Sequence, residues 1–189
     1  MRAIILALLP TISLWCGDDP LVKVPKGYVL QQLDATDGLI AKPSNWFYGN
    51  HGTTSGWVWT ISKEDPSKGA FETGFTIQMI VGLESKTKQS RQEFCTSFIN
   101  SKRKALKVFK ECPVVDMGSF MRQCIEVLEI IPESASKKEF HILYSVIWMK
   151  SMDIAAVTTF GAPDAEWESI VPITQIMSEF RLIGPNLGK

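Results

Sequence analysis

The sequence lacks an excess of charge of either sign. Its 189 residues include 20 Lys and Arg residues against 20 Asp and Glu residues, so the formal net charge is +0. A protein with so balanced a charge has no overall field that attracts nucleic acid or an anionic membrane surface. We therefore expect no nucleic-acid partner, and we expect the protein to recognise any partner through a local part of its surface.

Motifs that carry catalysis or hold a cofactor are also missing. Histidine occurs only at His51 and His141, and neither lies in an HxxxH arrangement or beside carboxylates at metal-ligand spacing. The chain contains no G-x-S-x-G motif and no glycine-rich loop that leads from a strand into a helix. Cys95 lies on the apolar stripe of a predicted helix, where a cysteine usually packs in the core. The sequence thus predicts no catalytic residue, no metal and no cofactor.

Charged residues are absent from positions 3–15, which follow an N-terminal Met-Arg pair. This apolar stretch is too short to span a bilayer as a helix, but it has the length of a signal-peptide core. The alternative is a buried first helix, which Pro10 would interrupt. We therefore predict a signal peptide over residues 1–15, export from the cytoplasm, and a polar tether over residues 16–27.

One cysteine, Cys16, directly ends the apolar stretch. A short hydrophobic segment that ends in a single cysteine resembles the signal of bacterial lipoproteins. The resemblance implies that Cys16 is lipidated and becomes the mature N-terminus, which would make the membrane a partner through this anchor. The alternative is a plain secreted protein in which Cys16 has no such role.

Turn residues and alternating apolar residues predict strands in the first half of the chain. Residues 28–33 and 38–41 are expected to form an opening hairpin, because the Asp-Gly pair between them supplies turn geometry. Residues 57–62 and 75–83 alternate as strands that each bury one face.

The polar, glycine-rich run 49–56 is predicted to be a surface loop. Loops held by a rigid scaffold often carry recognition, so His51, Thr53 and Thr54 are candidates for contact with a protein partner. The alternative is a surface connection without a role, which is common for loops of this composition.

Over residues 89–110 the apolar residues recur at nearly every fourth position instead of every second, which predicts an amphipathic helix. The basic run 101–107 on it is interpreted as a solvated helix face rather than a site for nucleic acid or anionic lipid, because no aromatic side chains are interleaved with it. Three strands are predicted next, at residues 121–131, 140–149 and 154–160, and a terminal helix follows them at residues 167–180. Pro172 either kinks this helix or starts a second one.

This order of elements predicts an α+β fold, an antiparallel sheet sandwiched between helices, in one domain over residues 28–183 with a C-terminal tail at 184–189. The segments GLIAKPSNWFY, FHILYSVIWMK, MDIAAVTTFGA and WESIVPITQIMSEFRLI, together with the long central helix, resemble the PsbP-like fold. That fold also includes the Ran-binding import factor of the nucleus and many small exported bacterial proteins. The resemblance implies a fold, not a function.

Export would expose the three remaining cysteines to an oxidising compartment. Cys112 and Cys124 flank a short segment that begins with a proline. We therefore predict a disulfide between these two cysteines and a buried, free Cys95.

The sequence favours a non-enzymatic accessory or interaction protein of the cell envelope that engages a protein partner. A binding module for a small apolar ligand between sheet and helix is the first alternative, and it requires a cavity lined by Trp46, Trp57 or Trp148. Trp57 and Trp59 share a strand face with an isoleucine, so packing is the expected role for both. An enzyme without a recognisable motif is the second alternative, and it requires a cleft that holds titratable residues with shifted pKa values.

Overall fold

A computed structural model describes residues 24–130 and 138–184 of the chain. The predicted signal peptide, Cys16, most of the tether and residues 185–189 of the predicted tail lie outside the described residues. Within the two described ranges, no helix has both the length and the apolar character needed to cross a membrane.

The described residues form ten strands and three α-helices. The strands are β1 (Tyr28–Leu33), β2 (Asp37–Pro43), β3 (Phe47–Thr53), β4 (Gly56–Ser62), β5 (Gly74–Val81), β6 (Lys107–Asp116), β7 (Phe120–Ile130), β8 (Glu139–Met149), β9 (Ile154–Pro163) and β10 (Arg181–Ile183). The helices are α1 (Leu83–Thr87), α2 (Arg91–Ala105) and α3 (Trp167–Met177), and a short 3₁₀ helix (Asp164–Glu166) precedes α3.

The strands form two antiparallel sheets. The main sheet has seven strands in the order β3-β4-β5-β9-β8-β7-β6, and the small sheet has the order β1-β2-β10. Helices α1 and α2 carry the chain from β5, inside the main sheet, to β6 at its edge. Strand β6 is therefore an edge strand, held on one side by β7.

Both faces of the main sheet are covered. Helix α2 packs against β7 and β8 on one face, and we call the apolar cluster beneath it the α2 core. Helix α3 and the small sheet cover the other face, over a second apolar cluster. Strand β8 contributes apolar side chains to both clusters, as expected for a strand that is covered on both sides. The α+β sandwich predicted from the sequence is confirmed.

Helix α2 is shorter than the predicted helix over residues 89–110. It begins with a capping box, in which the Ser90 hydroxyl accepts from the Glu93 backbone N–H at 3.2 Å and the Glu93 carboxylate accepts from the Ser90 backbone N–H at 2.8 Å. It ends at Ala105, so the prediction is wrong beyond that residue. The following residues pair with β7 instead, because their valines and aromatic residue favour a strand. Pro113 is tolerated there because it falls at a register shift in an edge strand.

The run 49–56 is not a loop, contrary to the prediction. Strand β3 continues to Thr53 and β4 begins at Gly56, so that only two residues form the turn of this β3–β4 hairpin. The polar, glycine-containing sequence of β3 suits this position because β3 is an edge strand with mostly exposed side chains.

The end of the chain also differs from the prediction. Helix α3 stops at Met177 and keeps Pro172 inside it, so no second helix begins at the proline. Phe180 is buried beyond the helix end, and the chain then enters β10, which pairs with β2. The segment 154–160 is therefore not the last strand. A strand of three residues has too little periodicity to be recognised in the sequence.

Candidate functional site, a groove beside helix α3

A groove opens beside helix α3 on the face of the main sheet opposite the α2 core. Helix α3 packs over β9 and β2, which leaves the β6 edge of the sheet open. The space between α3 and strands β6, β7 and β8 has a volume of about 440 Å³. Small-molecule sites occupy roughly 300–1,000 Å³. We call this space the α3 groove.

Most of the surface of the α3 groove is apolar. Val115, Met117, Leu143 and Val171 are half-buried there, and Trp167 adds a buried aromatic side chain. The polar lining residues are Lys110, Arg122, Gln123, Glu126, Glu168, Thr174, Gln175 and Ser178. An apolar wall with a few convergent polar groups is the usual composition of a ligand site.

Arg122 brings a mostly buried positive charge to the α3 groove. It lies on β7, paired with Val115 of β6 and Ile147 of β8. Its Nε donates a hydrogen bond to the Ser145 hydroxyl at 2.8 Å. Burial lowers the pKa of the Arg122 guanidinium to about 10, because a surrounding of low polarity disfavours the charged form. The guanidinium nevertheless stays charged at neutral pH, and it can donate further hydrogen bonds to an anion.

His141 lies at one end of the α3 groove, between four other side chains. Its Nε2 is 2.6 Å from Glu126 Oε1 and its Nδ1 is 3.1 Å from Asp164 Oδ1. Its ring stacks on Trp167 with centroids 4.3 Å apart and on Phe109 with centroids 4.6 Å apart. We call these five residues the His141 cluster, and two of them, Glu126 and Trp167, also line the groove.

The His141 cluster leaves the histidine no free position. Both ring nitrogens lie at hydrogen-bonding distance from carboxylates, and both ring faces are covered by aromatic rings. A general acid or base must reach the proton that it transfers. His141 therefore ties β6, β7, β8 and the start of α3 together.

Cys112 and Cys124 form part of the wall of the α3 groove. They lie opposite each other in the β6–β7 pair, with Cα atoms 4.9 Å apart and their Sγ atoms bonded. This Cα separation lies within the range of roughly 4.4–6.8 Å that disulfides require. Cys95 is free and buried. The oxidised pair in the exported protein stays a prediction, which non-reducing peptide mapping can test.

The chain is similar in structure to a protein of known partner. The Ran-binding protein Mog1p of Saccharomyces cerevisiae is 10% identical to it, and the likeness covers 82% of this chain and 95% of Mog1p with a TM-score of 0.51. The two chains share one fold. Because the Ran-binding import factor belongs to the PsbP-like fold, the fold predicted from the sequence is confirmed. At this identity the likeness concerns the fold alone.

Two further solved structures are similar to the chain. PsbP (CyanoP) of Synechocystis is 9% identical over 88% of this chain and 98% of its own, with a TM-score of 0.49. LpqN, involved in cell envelope biogenesis of Mycobacterium tuberculosis, is 13% identical over 82% of this chain and 89% of its own, with a TM-score of 0.47. The chain matches no family model and no curated protein.

The tryptophans that were expected to line a ligand cavity lie elsewhere. Trp46 and Trp148 are each 6% exposed and pack in the two apolar clusters, and Trp57 is half-buried against the cluster beneath α3 and the small sheet. Trp59 is 0% exposed and packs in that same cluster, as expected. A cavity between sheet and helix is present, but its aromatic lining residue is Trp167. The cavity lies instead at the β6 edge of the sheet, where the sequence had predicted the end of a helix.

The candidate interaction residues lie together at the end of the β3–β4 hairpin. His51, Thr53 and Thr54 are all exposed, and the hairpin lies at the opposite edge of the main sheet from the α3 groove. In the basic run 101–107, Lys102 pairs with Glu129 at 3.3 Å and Arg103 pairs with Glu111 at 2.7 Å. These two cations thus attach α2 to the neighbouring strands.

Arg122, a cation that lines the α3 groove, was not among the candidate residues named from the sequence, although a signal was present. Strand β7 places Phe120, Arg122, Cys124 and Glu126 on one face, because side chains alternate along a strand. Charged residues at two inward positions of a covered strand mark a face that is not fully packed.

Proposed function

We propose that this chain is a non-enzymatic accessory protein of the cell envelope that binds a small, largely apolar ligand in the α3 groove. The observation that carries the proposal is the groove itself, about 440 Å³ of space lined mainly by apolar side chains within the described residues. Burial of apolar surface stabilises a complex by about 25 cal/mol per Å². An apolar ligand would cover wall residues that water otherwise contacts.

Two observations support a binding role over a catalytic one. Burial raises the pKa of the Cys95 thiol to about 12, so that the thiol stays protonated at neutral pH, and only a thiolate is a good nucleophile. The described histidine near the groove, His141, has both nitrogens and both ring faces occupied. Neither group is therefore available for nucleophilic or acid–base catalysis.

The envelope location rests on the N-terminal sequence. Export and lipidation at Cys16 remain predictions, and both concern residues outside the described ranges. Metabolic labelling with a palmitate analogue tests the anchor, because label on the wild type and its loss in Cys16→Ser are expected. Label that is absent from the wild type, or kept by the variant, contradicts lipidation but leaves groove binding untouched.

Ligand binding can be measured with a neutral apolar dye, N-phenyl-1-naphthylamine, whose fluorescence rises in an apolar site. Val171→Trp should fill the α3 groove and weaken dye binding about tenfold or more, which corresponds to about 1.4 kcal/mol. Val29→Trp is the matched control, because Val29 is 41% exposed on β1 and the same enlargement there should leave binding unchanged. Absence of dye binding by the wild type, or equal binding by Val171→Trp, would contradict the proposal.

A protein partner is a second candidate ligand, and it would contact the β3–β4 hairpin. The observation that favours it is the exposure of His51, Thr53 and Thr54 together at the end of an edge strand. Mog1p, which has this fold, is a Ran-binding protein, so the fold is compatible with protein partners. Edge strands also offer unpaired backbone groups to a binding segment.

A further inference from the structure

Arg122 is a cation without an ion-pair partner in the described part of the chain. Its Nε donates a hydrogen bond to the Ser145 hydroxyl, and no described carboxylate forms a salt bridge with it. Burial of an unpaired charge is unfavourable by several kcal/mol unless other groups compensate it. A ligand that carries a negative charge would supply the missing partner.

The Ser145 bond fixes how the guanidinium is presented. Ser145 is 4% exposed, and Thr158 donates to its backbone oxygen at 3.3 Å, so Ser145 is held by the neighbouring strand. With Nε engaged, the two terminal nitrogens remain for a ligand. Their spacing matches the two oxygens of a carboxylate, which arginine binds with two parallel hydrogen bonds.

The charges around the α3 groove favour an anion with one negative charge. Lys110 and Arg122 supply two positive charges, and Glu126 and Glu168 supply two negative charges. Glu126 is engaged with His141, and Glu168 is exposed. A dianion such as a phosphate monoester would face these carboxylates with only one buried cation, whereas a monocarboxylate needs only the guanidinium.

We infer that the ligand of the α3 groove is an amphiphilic monocarboxylic acid, such as a fatty acid, whose carboxylate is bound by Arg122 and whose apolar chain lies against the groove wall. This inference rests on the proposed function, because it assumes that the groove is a ligand site. Val115, Met117, Leu143 and Val171 supply the wall for the chain.

The test compares dodecanoate with dodecan-1-ol, which has the same chain and no charge. Binding of each to the purified protein is measured by titration calorimetry at pH 7, below the concentration at which the ligand forms micelles. The wild type should bind dodecanoate about 10- to 100-fold more tightly than dodecan-1-ol, the usual effect of a charge-assisted hydrogen bond. Arg122→Gln should lose that preference and keep its affinity for the alcohol.

The matched control removes an exposed cation on the other side of the sheet. Lys104→Gln, on α2, should keep the full preference for dodecanoate. If Arg122→Gln does not fold, Arg122→Lys tests the same point, because it keeps the charge but loses the two-pronged geometry and should retain only part of the preference.

The possible results separate the two proposals. Equal affinity of the wild type for acid and alcohol would overturn the acid inference and leave the groove as a site for neutral ligands. A preference that survives in Arg122→Gln would overturn the role of Arg122. Absence of binding for both compounds would contradict the proposed function itself, and the acid inference with it.

Discussion

The two faces of the main sheet differ in how completely they are packed. On the α2 side, Ile99, Ile125 and Val127 are each 0% exposed, and polar contacts such as Lys102 to Glu129 lie at the margin of the apolar cluster. On the α3 side, the cluster is closed beneath the small sheet but gives way to the α3 groove toward β6. In the groove, the charged side chains of Arg122 and Glu126 lie on the face of β7 that points toward α3.

This difference follows from how much each helix covers. Helix α2 lies over β7 and β8, the strands next to the β6 edge, whereas α3 lies over β9 and β2. The β6 edge is therefore covered from one side only. A single sheet can thus have a closely packed core on one face and an open groove on the other, because the packed core fixes the strands that form the groove wall.

The largest expected effect is the loss of a core side chain on the α2 side. Ile125→Ala should lower the free energy of unfolding by about 4 kcal/mol, since the site is fully buried and leaves a cavity. Leu143→Ala removes a similar volume from the groove wall and should cost only about 2 kcal/mol, because that side chain is half-buried. Urea denaturation followed by circular dichroism gives both values. Equal losses would show that the α3 side is packed as closely as the α2 side.

The next effect concerns the bond that holds the open edge. Replacing Cys112 and Cys124 by Ser should lower the free energy of unfolding by about 3 kcal/mol in the chain-entropy model, because the linked residues are 12 apart in sequence. Cys95→Ala is the control in the α2 core and should cost about 1 kcal/mol. Chemical denaturation of the wild type, the double variant and Cys95→Ala without reducing agent makes the comparison. A double variant as stable as the wild type would mean that β6 is held by strand pairing alone.

A smaller effect is expected from His141, and the second histidine provides its control. His141→Ala removes two aromatic stacks and the partner of Glu126, so a loss of about 2 kcal/mol is expected. His141→Phe keeps the stacking and should recover about half of this loss. His51→Ala, at an exposed position of β3, should change stability by less than about 0.5 kcal/mol. Thermal unfolding should rank the variants in this order, and a loss for His141→Ala as small as that for His51→Ala would contradict a structural role for the His141 cluster.

The sequence predicted the structure well where the local spacing of apolar residues agreed with the strand pairing of the folded chain, and poorly where the two differed. The α2 core was foreseen in its main elements, because Ile125, Tyr144 and Val157 lie on strands whose apolar pattern is regular. The groove was not foreseen in its position. Its outer wall is β6, and the first residues of β6 continue the apolar spacing of the preceding helix, so that only pairing with β7 assigns them to a strand.

The disulfide partners and Arg122 show the same limit of prediction from local sequence. The disulfide partners could be named from spacing, because they flank a short segment next to a proline. The sequence places Arg122 on an inward face of β7, but the exposure of its side chain to the α3 groove depends on how far α3 covers the sheet. Side-chain alternation gives the face of a strand, but it does not show what covers that face.

The smallest effect on stability is expected at the β3–β4 hairpin. Replacing His51, Thr53 and Thr54 together by Ala should change the free energy of unfolding by less than about 1 kcal/mol, because all three are exposed. The Thr53 hydroxyl accepts a long hydrogen bond of 3.4 Å from the Ser55 backbone N–H. The loss of β-branched side chains from an edge strand should lower the free energy of unfolding only slightly, because strand propensity has a small effect there.

The hairpin variant also separates the two candidate ligands, since the hairpin and the α3 groove lie at opposite edges of the main sheet. If a protein partner contacts the hairpin, the triple variant should capture less of that partner from envelope extract while it binds the neutral dye with unchanged affinity. Val171→Trp should bind the dye more weakly and capture the protein partner as well as the wild type does. Unchanged capture by the triple variant would remove the hairpin as a recognition site. A large loss of stability would show instead that these residues support the β3 edge of the sheet.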